Sequence, residues 1–100
     1  MTDIRVGDIG TTFRATILDN GVTKDISSAT VMQLTFRKPD GTEVTKTAVW
    51  TTDGTDGKMQ YVAVLNDLNL AGRWVVQGYV ETPAGKWHSS LYNFLVMENL

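Results

Sequence analysis

Few residues in this 100-residue sequence have types that could do chemistry: one histidine, His88, and six aspartates in turn-like surroundings, Asp19, Asp25, Asp40, Asp53, Asp56 and Asp67. A histidine acts as a base only when a nucleophile and an orienting carboxylate stand within hydrogen-bond reach. No nearby Ser or Cys with an Asp partner completes such a set, so His88 reads as a surface strand residue. The stretch Asp53-Gly54-Thr55-Asp56-Gly57 has the flavour of a calcium loop, but the position that should supply a bidentate glutamate is Val64 and no helices flank it. It reads as a flexible loop. A glycosidase needs two carboxylates at a defined separation, and nothing selects two of the six aspartates; all fall where Asp is favoured for bonding to the backbone. Gly7-Asp8-Ile9-Gly10 lacks the lysine and following helix of a phosphate loop and reads as a turn. The sequence therefore carries no catalytic, cofactor-binding or metal-binding constellation.

The aromatic residues are more informative. Trp50, Tyr79, Tyr92 and Trp87 could stack on the apolar faces of a sugar, or they could anchor a protein interface, where Trp and Tyr are enriched. Trp74 and Trp87 are better explained as core. That leaves Trp50, Tyr79 and Tyr92 as candidate interface residues, with protein favoured over sugar as what they meet.

Composition narrows the classes further. The formal charge is −2 and the nine Lys and Arg are scattered, whereas nucleic-acid binding needs clustered cations. Cysteine is absent, which fits folding in a reducing cytoplasm. The N-terminus has neither the basic nor the apolar region of a signal peptide, and the run Phe94-Leu95-Val96-Met97 is too short to span a bilayer. A soluble, membrane-free, single domain over 1–100 is expected, since a chain of this length supports one modest core.

The elements that must position these residues are strands. After Asp67-Leu68-Asn69-Leu70-Ala71-Gly72, the chain alternates with period two: Trp74, Val76, Gly78 and Val80 on one face, Val75, Gln77, Tyr79 and Glu81 on the other. Phe13, Ala15 and Ile17 share a face, as do Met32, Leu34 and Phe36, and Met59, Tyr61 and Ala63. Asp19-Asn20-Gly21 predicts a tight hairpin, because Asn and Gly tolerate positive φ, and Asp25-Ile26-Ser27-Ser28-Ala29 a crossover. Lys38-Pro39-Asp40-Gly41 and Thr82-Pro83-Ala84-Gly85 are further turns. Thr42–Trp50 reads as one returning strand. A four-residue loop at 82–85 places Glu81 opposite Lys86, Val80 opposite Trp87 and Val76 opposite Leu91, with His88 beside Tyr79 on the outer face. Leu91 then lies on the Trp74 face, and burial of Phe94 and Val96 requires a bulge between Leu91 and Phe94. No segment has sustained helical periodicity. About seven short strands predict an all-β, antiparallel, immunoglobulin-like β-sandwich, with a small barrel as the rival. Val76 stands where an antibody domain places its second cysteine.

Several segments together resemble a known family. Val6-Gly7-Asp8-Ile9-Gly10, Val22-Thr23-Lys24-Asp25-Ile26-Ser27-Ser28-Ala29, Phe36-Arg37-Lys38-Pro39-Asp40-Gly41-Thr42, Asp67-Leu68 with Ala71-Gly72-Arg73-Trp74, and Trp87-His88-Ser89-Ser90 before Phe94-Leu95-Val96 are similar, in order, to short β-sandwich virion proteins of tailed bacteriophages. They resemble in particular the N-terminal domain of the phage baseplate upper protein family. The resemblance implies a noncatalytic virion component, assembled in the host cytoplasm, that needs no cofactor and docks onto other virion proteins of tail, baseplate or capsid. A homo-oligomer of three-fold or six-fold symmetry is implied with it. Larger members carry C-terminal domains that build fibres or hold receptor-binding proteins; a sequence ending at Leu100 fits a small tail, baseplate or collar adaptor. A capsid decoration protein and a carbohydrate-binding sandwich module are the alternatives. The N-terminal segment and Glu98-Asn99-Leu100 are expected to extend onto neighbours.

Overall fold

The computed structural model describes residues 4–99. Eleven strands follow one another: β1 (Ile4–Arg5), β2 (Thr12–Thr16), β3 (Leu18–Asp19), β4 (Val22–Thr23), β5 (Val31–Arg37), β6 (Glu43–Thr47), β7 (Val49–Trp50), β8 (Lys58–Val62), β9 (Gly72–Thr82), β10 (Gly85–His88) and β11 (Tyr92–Met97). The larger sheet runs β1-β11-β9-β5-β6, with β10 also on β9; the smaller runs β2-β8-β7, and β3 and β4 form a separate hairpin. The two main sheets face each other as an all-β sandwich. All pairings are antiparallel except β1 with β11, which is parallel and sets Ile4 opposite Val96.

The alternation read from the sequence sets the core. Trp74, Val76 and Val80 are buried, as are Leu34 and Phe36 from β5, Phe13 and Ala15 from β2, and Met59 from β8. Rings knit the sheets together: Phe13 lies 4.8 Å from Phe94 and 5.1 Å from Phe36, and Trp74 stacks on Phe94 at 5.7 Å. Trp87 is only half-buried against this cluster, with the Lys24 ammonium 4.4 Å from its ring centre. The β3–β4 turn forms as expected, Asn20 and Gly21 both having positive φ, with Asp19 opposite Val22.

Three expectations need correction. Thr42–Trp50 is not one strand: β6 pairs with β5 in the large sheet while β7 pairs with β8 in the small one. Between them Ala48 is buried, and its N–H donates to the Met32 carbonyl at 2.9 Å, so the chain changes sheets there. Second, the β9–β10 register is as predicted, Lys86 opposite Glu81 and Trp87 opposite Val80, but Tyr92, not Leu91, stands opposite Val76. The extra residue therefore enters within 89–91, earlier than the sequence placed it, and Leu91 is turned out at 63% exposure. Ser89 is why the bulge sits there. It is buried; its Oγ accepts the Gly78 N–H at 2.7 Å and donates to the Ser90 carbonyl at 2.9 Å, so the displaced backbone keeps its partners. Third, Glu98 and Asn99 fold back: the Arg5 guanidinium donates to the Glu98 carbonyl and the Asn99 amide to the Val6 carbonyl at 2.7 Å. Met1, Thr2, Asp3 and Leu100, the rest of the proposed extensions, lie outside the described residues.

Candidate functional site

The predicted interface aromatics occupy separate places. Tyr79 lies on the outer face of the large sheet, half-buried, its ring 4.8 Å from His88, as the register implied. Tyr92 opens β11 with the parity of inward-facing Phe94, and is 38% exposed. Trp50 ends β7 on the small sheet, 37% exposed, its indole N–H donating to the Ile26 carbonyl at 2.9 Å. Glycine at position 54 leaves room for that ring against the loop, since a Cβ there would sit 2.7 Å from the indole. The structure does not gather the three into one surface.

The aspartates mostly serve the backbone beside them. Asp25 accepts the Ser27 N–H, Asp40 the Thr42 N–H, and Asp56 the Lys58 N–H; Asp53 accepts both the hydroxyl and the N–H of Thr55. For Asp25, Asp40 and Asp53 these bonds favour the ionised form. The Ser27 hydroxyl and N–H hold Asp25 below the usual carboxylate range, the Thr42 N–H and hydroxyl do so for Asp40, and the Thr55 hydroxyl and N–H for Asp53. Among the described residues no group of three His, Cys, Asp or Glu could hold a metal ion.

Asp67 is different, and the sequence did not set it apart. It stands in a pocket of about 210 Å³ at the end of the sandwich where β9 begins. The walls come from both sheets: Phe13 of β2, Phe36 of β5, Tyr61 of β8 and Trp74 of β9, with the 63–68 loop closing one side and Lys38 and Lys46 on the lining. The Tyr61 hydroxyl donates to Asp67 Oδ2, which also accepts the Val64 N–H at 2.9 Å, while Lys46 Nζ lies 3.0 Å from Oδ1. Burial alone would push the Asp67 carboxyl up, but the bonds from Tyr61, the Val64 N–H and Lys46 outweigh it and hold the group below the usual range. Burial, with the bond to Asp67 added, pushes the Tyr61 phenol up to about 12.

Lys38 has a different balance. Its ammonium donates to the Asn69 side-chain carbonyl at 3.1 Å and lies 5.8 Å from the centre of the Trp74 ring. No carboxylate of the described residues is within ion-pair distance of it; Asp40 feels its charge only weakly. The pocket thus presents an aromatic floor, an internally neutralised Lys46–Asp67 pair and one uncompensated cation. Its parts are dispersed over five strands and two loops, so no local spacing announced it. Phe13, Phe36, Tyr61, Trp74 and the 67–72 loop were each marked in the sequence as strand-face or loop positions, but nothing there joined them into one site.

Among solved structures the chain is similar to CopC from Methylosinus trichosporium OB3b, at 15% identity, covering 100% of this chain and 90% of that one with a TM-score of 0.56. That likeness concerns the fold. No curated protein matches the chain. The family profile described as BppU N-terminal domain matches residues 2–100, and with nearly every residue inside that match, the chain belongs to the BppU N-terminal domain family.

Proposed function

We propose that this chain is a noncatalytic structural component of a tailed-phage virion, a tail, baseplate or collar adaptor that works through protein–protein contacts. The observation that carries the reading is the family match across residues 2–100, whose name refers to the baseplate upper protein. Its partners are other virion proteins and copies of itself in a three-fold or six-fold arrangement, and it is built into the particle in the host cytoplasm as one immunoglobulin-like domain. The surface is compatible with this reading: Ile9, Val49, Val64, Leu65 and Leu91 are each more than half exposed and available for contact with neighbours. Trp50, Tyr79 and Tyr92 stand on separate surfaces, which suits contacts with several neighbours better than a stacking platform for one sugar. A capsid decoration role fits the same surface and differs in copy number.

Quantitative mass spectrometry of purified virions tests the proposal. A low multiple of three or six copies per particle supports a tail, collar or baseplate position, and a count near that of the major capsid protein converts the reading to capsid decoration. Absence from the particle overturns it and brings forward the carbohydrate-binding alternative, which a glycan array with Trp50 and Tyr92 variants then decides.

A further inference from the structure

The sandwich is long and narrow, 47 Å by 24 Å by 22 Å, and its two ends carry complementary features. At one end is the aromatic pocket with the uncompensated Lys38. The β2–β8 register fixes which end is which. Thr12 pairs with Val62 next to the pocket loop, whereas Thr16 pairs with Lys58, so β3 and β4, which follow β2, project at the far end. That hairpin belongs to neither main sheet. Asp19 and Val22 face each other across it and so point to the same side. Val22 is 67% exposed, and the Asp19 carboxylate has no hydrogen bond or ion pair with any other described residue. The hairpin tip therefore offers an apolar side chain next to a free anion.

We propose that the pocket receives the β3–β4 hairpin of a second copy of this chain, Val22 against the aromatic walls and Asp19 paired with Lys38, so that copies join head to tail. The inference rests on the reading above that the protein acts by contacts with its own copies. Pocket size selects this class of occupant. At about 210 Å³ the space falls below the ~300–1,000 Å³ of pockets that hold a drug-sized ligand or cofactor, yet admits a side chain and part of a turn. Charge selects the partner. Both oxygens of Asp67 are already committed, so an incoming group meets a net cation at Lys38, and an anion beside an apolar residue is what the hairpin brings. A contact that joins two different surfaces is heterologous, and heterologous contacts close into rings when the rotation per step divides a full turn. The inference thus supplies a physical route to the three-fold or six-fold arrangement.

The test is a charge exchange read by sedimentation velocity over a range of protein and salt concentrations. The wild-type chain is expected to show concentration-dependent association that weakens with salt. K38E and D19K, both at solvent-accessible positions, should each weaken it at least tenfold. Mixed one to one, the two variants should recover association, because every pocket of one then faces a compatible hairpin of the other; a folding defect in either would not be repaired by mixing. V22S should weaken association with little change in its salt dependence. A wild-type chain that stays monomeric at millimolar concentration in low salt overturns the inference, as do single variants that associate like wild type or a mixture that fails to recover. The virion count is independent of these outcomes: a chain present in particles but monomeric refutes the head-to-tail contact alone, and one that passes the charge exchange but is absent from particles refutes the virion role alone.

Discussion

Gly78 lies in the middle of β9, where Met59 and Ala15 of the facing sheet press on its backbone, and replacing it tests the packing directly. A Cβ built on it would overlap Met59 Cε and sit 3.0 Å from Ala15 Cβ and 3.2 Å from Ser89 Oγ. The methionine end is flexible, but Met59 is fully buried in the core and has little room to swing. Ala15 can yield only if β2 moves. Overpacking of this kind costs about 1–3 kcal/mol, and the lower unfolded-state entropy of alanine returns about 0.4–1 kcal/mol, so from the midpoints of the two ranges Gly78→Ala should lose about 1.3 kcal/mol net. For a domain of this size each kcal/mol lowers Tm by about 4–8 °C. Urea unfolding with an unchanged m-value is the assay. Met59→Ala alone should cost about 2–5 kcal/mol through the cavity it leaves. In that background the new methyl group enters vacated space, so the Gly78→Ala penalty should shrink by at least about 1 kcal/mol, a coupling of the size seen between touching residues. A Gly78→Ala variant as stable as wild type, or a penalty that stays the same when Met59 is truncated, would show that the sheets are not this close.

Trp74→Ala should cost about 3–5 kcal/mol, a large share of a typical stability, because it removes the ring stacked on Phe94 and the indole N–H bonded to the Leu70 carbonyl; near-wild-type thermal unfolding would refute its place in the core. Trp50→Ala should leave the fold intact and weaken incorporation into particles, whereas a chain that no longer folds would place Trp50 among the core residues. Asp67 has a depressed pKa in the folded state, so its contribution is present above the unfolded value near 3.9 and is lost as pH falls through the folded one. Asp67→Asn should accordingly flatten the decline of stability between about pH 5 and pH 2, measured by denaturant midpoints. Tyr61 has a raised pKa, about 12 in the folded protein, so its contribution is present below the unfolded value near 10 and is lost as pH rises through the folded one; Tyr61→Phe should be less alkali-sensitive between about pH 10 and 12.

Strand identity, facing and most turns were legible from local pattern. Period-two alternation placed Trp74, Val76 and Val80 inward and Tyr79 outward because successive side chains on a strand must point to opposite faces. Asn20-Gly21 and Pro39 to Gly41 marked turns because their backbone preferences hold in any context. The Glu81–Lys86 register followed from loop length alone. The position of the bulge did not, because it depends on Ser89 finding the Gly78 N–H across the sheet, a contact between residues eleven apart in the chain. Nor did the break at Ala48, where the pattern stays strand-like on both sides while the partner strand changes.

The sequence by itself determined the all-β class, most of the inward faces and, through the order of its turn motifs, the family. Tertiary structure alone decided that Gly78 must be small, that Asp67 is a half-buried three-way acceptor while Asp25, Asp40, Asp53 and Asp56 bond the backbone beside them, and that Lys38 overlooks an aromatic pocket with no carboxylate of the described residues within ion-pair distance. The reason is physical. Alternation and turn chemistry are set by a residue and its immediate neighbours, whereas a pocket, a close approach and an unpaired charge are properties of groups that sequence separates and packing brings together.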